Sequence, residues 1–119
     1  DSGGTYTLPR LIGLQSASAL MMLGEKISAA DAQNMGMIYK VFSDDTFHDE
    51  VLKMANQLAQ MPTYGLALTK QALNQTYSNT LEQQLHLEDE LQTLAGNSDD
   101  YKEGTAAFLD KRLPVFKGK

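Results

Sequence analysis

The sequence predicts an all-α fold, and three observations carry that expectation. Apolar residues recur at helical spacing along most of the chain. Serine and threonine caps, prolines and glycines stand where helices would start and stop. Strand-like composition is nearly confined to one short run, IYKVF at 38–42.

Taken in order, residues 5–12 fit a short first helix ended by Gly13, with Pro9 tolerable if it falls in the first turn. Leu14–Leu23 follows, small and apolar through Ala17, Ala19, Leu20, Met21 and Leu23, and stops at Gly24. Ser28-Ala29-Ala30-Asp31 reads as a capping box that opens a brief third helix ending at Gly36. The IYKVF run then stands alone. A single strand needs a partner, so another chain or a further part of this protein is expected to supply it.

Asp44 or Asp45 can cap the fourth helix, whose Val51, Leu52, Ala55, Leu58 and Ala59 form one face expected to be buried. Pro62 breaks it and, with Thr63, starts a fifth helix with Leu66, Leu68, Ala72 and Leu73 on its apolar side. Thr80-Leu81-Glu82-Gln83 is a second capping box, opening a long helix to about residue 95. Its stripe is Leu81, Leu85, Leu91 and Leu94, interrupted by Glu88, and Gly96-Asn97 closes it. Ser98 caps a last helix whose inward face is expected to be Tyr101, Thr105 and Phe108. After Arg112 the tail carries Pro114 and should be extended. One helical layer is the economical arrangement, with some apolar faces left without a partner inside the chain.

At 119 residues the chain fits one small domain, and 42% hydrophobic residues suffice for a core. No apolar run approaches the roughly 18 residues of a membrane span. With no cysteines, disulfides and thiolate metal sites are excluded, a composition that fits a reducing cytoplasm. A net charge of −5 argues against non-specific nucleic-acid binding. Four of the ten basic residues (Lys111, Arg112, Lys117 and Lys119) lie in the last nine positions. They read as a solvated tail, or as a local site for an anion.

Few residues announce chemistry. His48 and His86 lack second ligands at metal-binding spacing and read as surface or packing residues. Gly-x-Ser-x-Gly does not occur, and Gly3-Gly4 lacks the spacing and lysine of a phosphate loop. The six methionines read as adaptable core filler. Glu88, on an apolar stripe, is expected to find a basic group or backbone donor. Asp1 is either a helix N-cap or a general base, and the two roles are compatible.

Three segments together resemble a known family. Asp1-Ser2-Gly3-Gly4-Thr5 with Leu8-Pro9-Arg10-Leu11-Ile12-Gly13 looks like an active-site turn and the helix behind it. Ile27-Ser28-Ala29-Ala30-Asp31-Ala32, with Gly36-Met37-Ile38 and Val41-Phe42, forms the second. Ser98-Asp99-Asp100-Tyr101-Lys102-Glu103-Gly104, with Ala107-Phe108-Leu109-Asp110-Lys111-Arg112, is similar to a closing E-G-x-x-A-F-x-x-K-R signature. In this order and over all 119 residues the chain resembles the C-terminal part of the crotonase, or enoyl-CoA hydratase/isomerase, superfamily.

The resemblance implies the helical C-terminal part of a crotonase-like (ClpP/crotonase) fold, with the N-terminal ββα core lying ahead of Asp1. Residues 1–43 would then be the active-site turn and the end of the core, and residues 44–119 the helical trimerisation region. It further implies an acyl-CoA thioester whose carbonyl is polarised by two backbone N–H groups, so that a developing enolate is stabilised. Asp1 matches the carboxylate that moves the proton, and an aspartate there resembles the isomerases. The implied reaction is isomerisation of ring-1,2-epoxyphenylacetyl-CoA or a related shift of an enoyl-CoA double bond. The alternatives are an enoyl-CoA hydratase, a Δ3–Δ2 enoyl-CoA isomerase or, in another class, a helical oligomerisation module without chemistry. Phe108 and Lys111 match CoA-binding positions, the ring near adenine and the cation near phosphate. By their own setting they read as a core residue and a solvated lysine.

Coenzyme A belongs to the substrate, and no separate cofactor or metal is implied. The implied assembly is a homo-trimer or dimer of trimers in the cytoplasm, without nucleic acid or membrane. Both backbone donors would precede Asp1, so the 119 residues alone are expected to be inactive.

Overall fold

The computed structural model describes residues 2–119. Among them every regular element is helical: α1 (Gly4–Ile12), α2 (Leu14–Leu23), α3 (Ala29–Asn34), α4 (Phe47–Ala59), α5 (Thr63–Gln75), α6 (Leu81–Gly96) and α7 (Asp99–Leu109). None of these helices is long and apolar enough to cross a membrane. The chain divides into two compact units, Asp1–His48 and Asp49–Lys119.

In the first unit α1 and α2 pack together. Gly13 separates them at φ 80, a conformation that favours glycine, and its N–H returns to the Pro9 carbonyl (2.9 Å). Pro9 sits in the second turn of α1 rather than the first. The Thr5 carbonyl four residues back loses a donor there, but Thr5 is exposed and water can replace it. Ala17 is the buried residue of α2, and Gly24 ends that helix at φ 66.

The box expected at α3 is half formed. The Ser28 hydroxyl oxygen accepts from the Asp31 N–H (3.0 Å), but the Asp31 carboxylate accepts a hydrogen bond from the Ser28 hydroxyl (2.6 Å) instead of reaching the Ser28 backbone. Residues 38–42 are irregular, and no strand among the described residues pairs with them. Gln33 from α3 supplies an acceptor for the Val41 N–H (2.7 Å), so a side chain does part of what a neighbouring strand would do.

In the second unit α5 and α6 pack along their lengths, and Leu68 and Leu91 are the leucines they bury. Each such burial contributes roughly 1.5–3 kcal/mol. The helices are also pinned by a polar bridge. Asn79 Nδ2 donates to Gln84 Oε1 (3.0 Å), and Gln84 Nε2 donates to the Ala72 carbonyl (3.2 Å). The capping box at Thr80 is complete: Gln83 N–H donates to Thr80 Oγ1 (3.2 Å) and Thr80 N–H to Gln83 Oε1 (2.8 Å).

Burial departs from the expected stripes. The α4 face of Val51, Leu52, Ala55, Leu58 and Ala59 is exposed, not buried. Thr46 precedes that helix, while Asp44 and Asp45 lie in the turn before it, where Thr46 N–H donates to the Ser43 carbonyl (3.0 Å). Of the α6 stripe only Leu91 is buried; Leu81, Leu85 and Leu94 are open. These are the apolar faces left without a cover that the spacing implied.

Candidate functional site

The first candidate, Asp1, lies outside the described residues. The turn that follows it is unusual. Ser2 (φ 51) and Gly3 (φ 82) are successive left-handed residues, a conformation that a serine rarely adopts. Gly3 holds the N-cap position of α1 with no side-chain cap, and its carbonyl accepts from the N–H groups of Tyr6 (3.0 Å) and Thr7 (2.9 Å). Arg10, one turn further on, lies over the Tyr6 ring at 3.6 Å from its centre.

The second candidate site is the end of α7. Ser98 caps the helix as expected, its hydroxyl oxygen accepting from the Tyr101 N–H (3.0 Å). The buried face, however, is not Tyr101, Thr105 and Phe108. Those three are exposed, Phe108 at 83%, while Asp100 (3% exposed) and Ala107 are buried and Glu103 and Gly104 partly so. The helix covers its polar stripe because the C-terminal tail, expected to be solvated, folds back along it.

Two carboxylates hold that tail. Asp100 Oδ1 accepts from the Lys117 N–H (2.6 Å) and Oδ2 from the Gly118 N–H (2.9 Å). In return the Asp100 N–H, a free donor of the first helical turn, donates to the backbone oxygen of Lys119 (3.0 Å). Glu103 grips Arg112 through two bonds, Nη1 to Oε1 (2.6 Å) and Nη2 to Oε2 (2.8 Å), and accepts the Val115 N–H (2.8 Å). Hydrogen bonding from Arg112 and then from Val115 lowers the Glu103 carboxyl to about 2. The same pair raises Arg112 above its ordinary value. The Phe116 ring lies against Gly104, where a Cβ would stand 3.5 Å from it, an ordinary contact.

Phe108 and Lys111 occupy the corner where the tail turns back. The Arg112 N–H donates to the Ala107 carbonyl (3.0 Å) and the Lys111 N–H to the Phe108 carbonyl (3.3 Å), closing α7 with a reverse turn. Its pivot, where glycine is usual, is Lys111 at φ 54. Phe108 and Lys111 thus sit on the same turn, joined by a backbone hydrogen bond, with both side chains exposed. Lys111 makes no ion pair with any described residue.

Asp100, Glu103 and Arg112 escaped the sequence reading as a set. The available signal was an acid-glycine pair with an arginine nine residues later, too distant for a helical neighbour rule.

The remaining candidates stand apart. His86 Nε2 lies 3.4 Å from Glu90 on an exposed surface. Glu88 is exposed on the groove between α5 and α6, lined by Leu68, Ala72, Leu91 and Ala95, and among the described residues it has neither of the partners expected for it. An exposed carboxylate is open to solvent, so no partner is required.

These elements define a class of protein. All of residues 1–119 match the sequence profile of the enoyl-CoA hydratase/isomerase family, and the chain belongs to that family. Among its relatives is the 1,2-epoxyphenylacetyl-CoA isomerase of Escherichia coli K12, 50% identical over 119 residues, which are 100% of this chain and 45% of the relative. The 2,3-dehydroadipyl-CoA hydratase of the same organism is 38% identical over 118 residues, 99% of this chain and 46% of that protein. A putative enoyl-CoA hydratase/isomerase of Mycobacterium abscessus superposes with a TM-score of 0.95 at 34% identity, over 100% of this chain and 46% of the solved one. The chain thus spans about half the length of the curated relatives it matches.

Proposed function

We propose that this chain is the C-terminal part of an acyl-CoA isomerase that shifts protons in an enolate-stabilised CoA thioester. Ring-1,2-epoxyphenylacetyl-CoA is the first substrate to test. One observation carries this reading: 50% identity over all 119 residues to 1,2-epoxyphenylacetyl-CoA isomerase, in a chain with an aspartate directly before Ser-Gly-Gly-Thr.

In this reading Asp1 takes or relays the proton, while backbone N–H groups outside these 119 residues stabilise the enolate oxygen. The 119 residues alone are then inactive. Phe108 and Lys111 take the nucleotide of CoA, the ring against adenine and the ammonium at a phosphate. Their exposure and their shared corner support this, since neither side chain is engaged by another described residue. The open apolar faces of α4 and α6 support association into a trimer or dimer of trimers.

A hydratase is the second reading, favoured by the 38% identity to 2,3-dehydroadipyl-CoA hydratase. The complete enzyme, supplied in turn with the ring-epoxide thioester, a 3-enoyl-CoA and crotonyl-CoA, separates the two. Under the isomerase reading the Asp1→Asn variant loses about 10²–10⁴-fold in kcat on the epoxide thioester. An unchanged rate refutes it. A helical module without chemistry predicts no turnover of any of the three, and an oligomer that falls to fewer subunits when residues 98–119 are removed.

A further inference from the structure

The clasp on α7 deepens the CoA reading of Phe108 and Lys111, and the inference rests on that reading. Both residues are exposed, so burial does not hold either in place. Lys111 also stands at φ 54, which a non-glycine residue keeps only where its surroundings impose it.

Those surroundings are visible on both sides of it. Before it, the last turn of α7 accepts the Lys111 and Arg112 N–H groups on the Phe108 and Ala107 carbonyls. After it, Arg112 is locked by two bonds to Glu103 and its Nε lies 3.5 Å from Asp110. Further along, Glu103 holds Val115, and Asp100 holds Lys117 and Gly118. The tail therefore runs back along α7 and is pinned from its start to its end, with Lys111 as the pivot.

The geometry points to Glu103, backed by Asp100, as a positioning residue for nucleotide recognition: by clasping the tail it fixes the Lys111 corner and presents Phe108 and Lys111 as a preformed pair for the adenine and phosphates of CoA. A loose tail would let the corner sample other backbone conformations, and the ligand would then have to order it on binding. Glu103 itself touches no ligand in this scheme.

The test uses the complete enzyme and two probes, CoA and pantetheine, the second lacking adenine and its phosphates. Glu103→Ala removes the grip on Arg112 and the acceptor for Val115, while Glu103→Gln keeps an acceptor and is the milder variant should the first misfold. Amide exchange at Val115 and Lys117 reports the clasp, and calorimetric titration reports binding. Exchange is expected to rise about tenfold in Glu103→Ala. CoA affinity should fall about three- to tenfold, less in Glu103→Gln, with pantetheine affinity unchanged. Lys111→Asn, which tolerates the left-handed conformation, and Phe108→Ala should weaken CoA with the clasp intact.

If the Glu103 variants open the clasp and CoA binds as before, the positioning role is overturned and the CoA reading survives. Equal losses for CoA and pantetheine make Glu103 merely structural, which also overturns it. If Lys111→Asn and Phe108→Ala leave CoA affinity unchanged, the CoA reading itself has failed.

Discussion

Replacing Gly118 by alanine strains the tail at its most confined point. Gly118 holds φ +73, and a Cβ built there would lie 2.5 Å from Thr63 Oγ1. The left-handed conformation costs an L-residue roughly 1–2 kcal/mol. The hydroxyl must also swing aside, and if no staggered position is open to it this adds about 0.5–1.5 kcal/mol. The sum, roughly 1.5–3.5 kcal/mol, falls on the residue whose N–H donates to Asp100 Oδ2. Local opening of the tail should then quicken amide exchange at Lys117 by about 10- to 400-fold. Combining Gly118→Ala with Thr63→Ala should recover the steric share and leave the backbone share. Gly104→Ala is the matched control: its Cβ meets Phe116 at an ordinary 3.5 Å within a helix, so it should be neutral or stabilising by about 0.5–1 kcal/mol. Unchanged exchange at Lys117 in Gly118→Ala would refute the docked geometry of the tail.

Thr80→Ala removes the acceptor for the Gln83 N–H and should destabilise the second unit by about 1 kcal/mol, read as a lowered midpoint in thermal unfolding. The Glu103 grip should depend on pH in one direction. Its carboxyl is held at about 2 against an ordinary 4.5, so its contribution is complete above pH 4.5 and is lost as the pH falls towards 2. Amide exchange at Val115, corrected for intrinsic rates, should rise across that window, and a constant protection factor down to pH 2 would contradict the assignment. Asp100→Leu makes α7 more apolar and should nevertheless destabilise it by roughly 2–6 kcal/mol, because the Lys117 and Gly118 N–H groups lose their acceptors. Chemical denaturation measures this, and a stabilised Asp100→Leu would show that the tail does not need those bonds.

Caps and breakers made the helices legible. Gly13, Gly24, Thr80 and Ser98 stand at their expected boundaries because each boundary is decided within a few residues by backbone N–H groups seeking acceptors or by a left-handed turn. IYKVF at 38–42 has the composition of a strand but no described strand to pair with, and Gln33, eight residues before Val41, supplies an acceptor in its place. Burial was the least legible property. Val51, Leu52 and Leu58 repeat as a buried face should, yet periodicity specifies a stripe and not what covers it.

The end of α7 shows why the usual choice of stripe fails there. Tyr101, Thr105 and Phe108 form the more apolar stripe, while Asp100, Glu103, Gly104 and Ala107 form the one that is covered. The two are separated by one residue, about 100° of helix. The covering segment is irregular backbone that arrives with unpaired N–H groups. Leaving the part-buried Lys117 and Gly118 amides unsatisfied would cost roughly 1–3 kcal/mol each, or about 2–6 together. Full burial of the Phe108 ring would contribute roughly 1.5–3 kcal/mol. Acceptors therefore outweigh hydrophobicity at this face, and the carboxylates turn inward. Phe108 is left outside as a consequence of that balance, beside a lysine whose backbone the same clasp constrains.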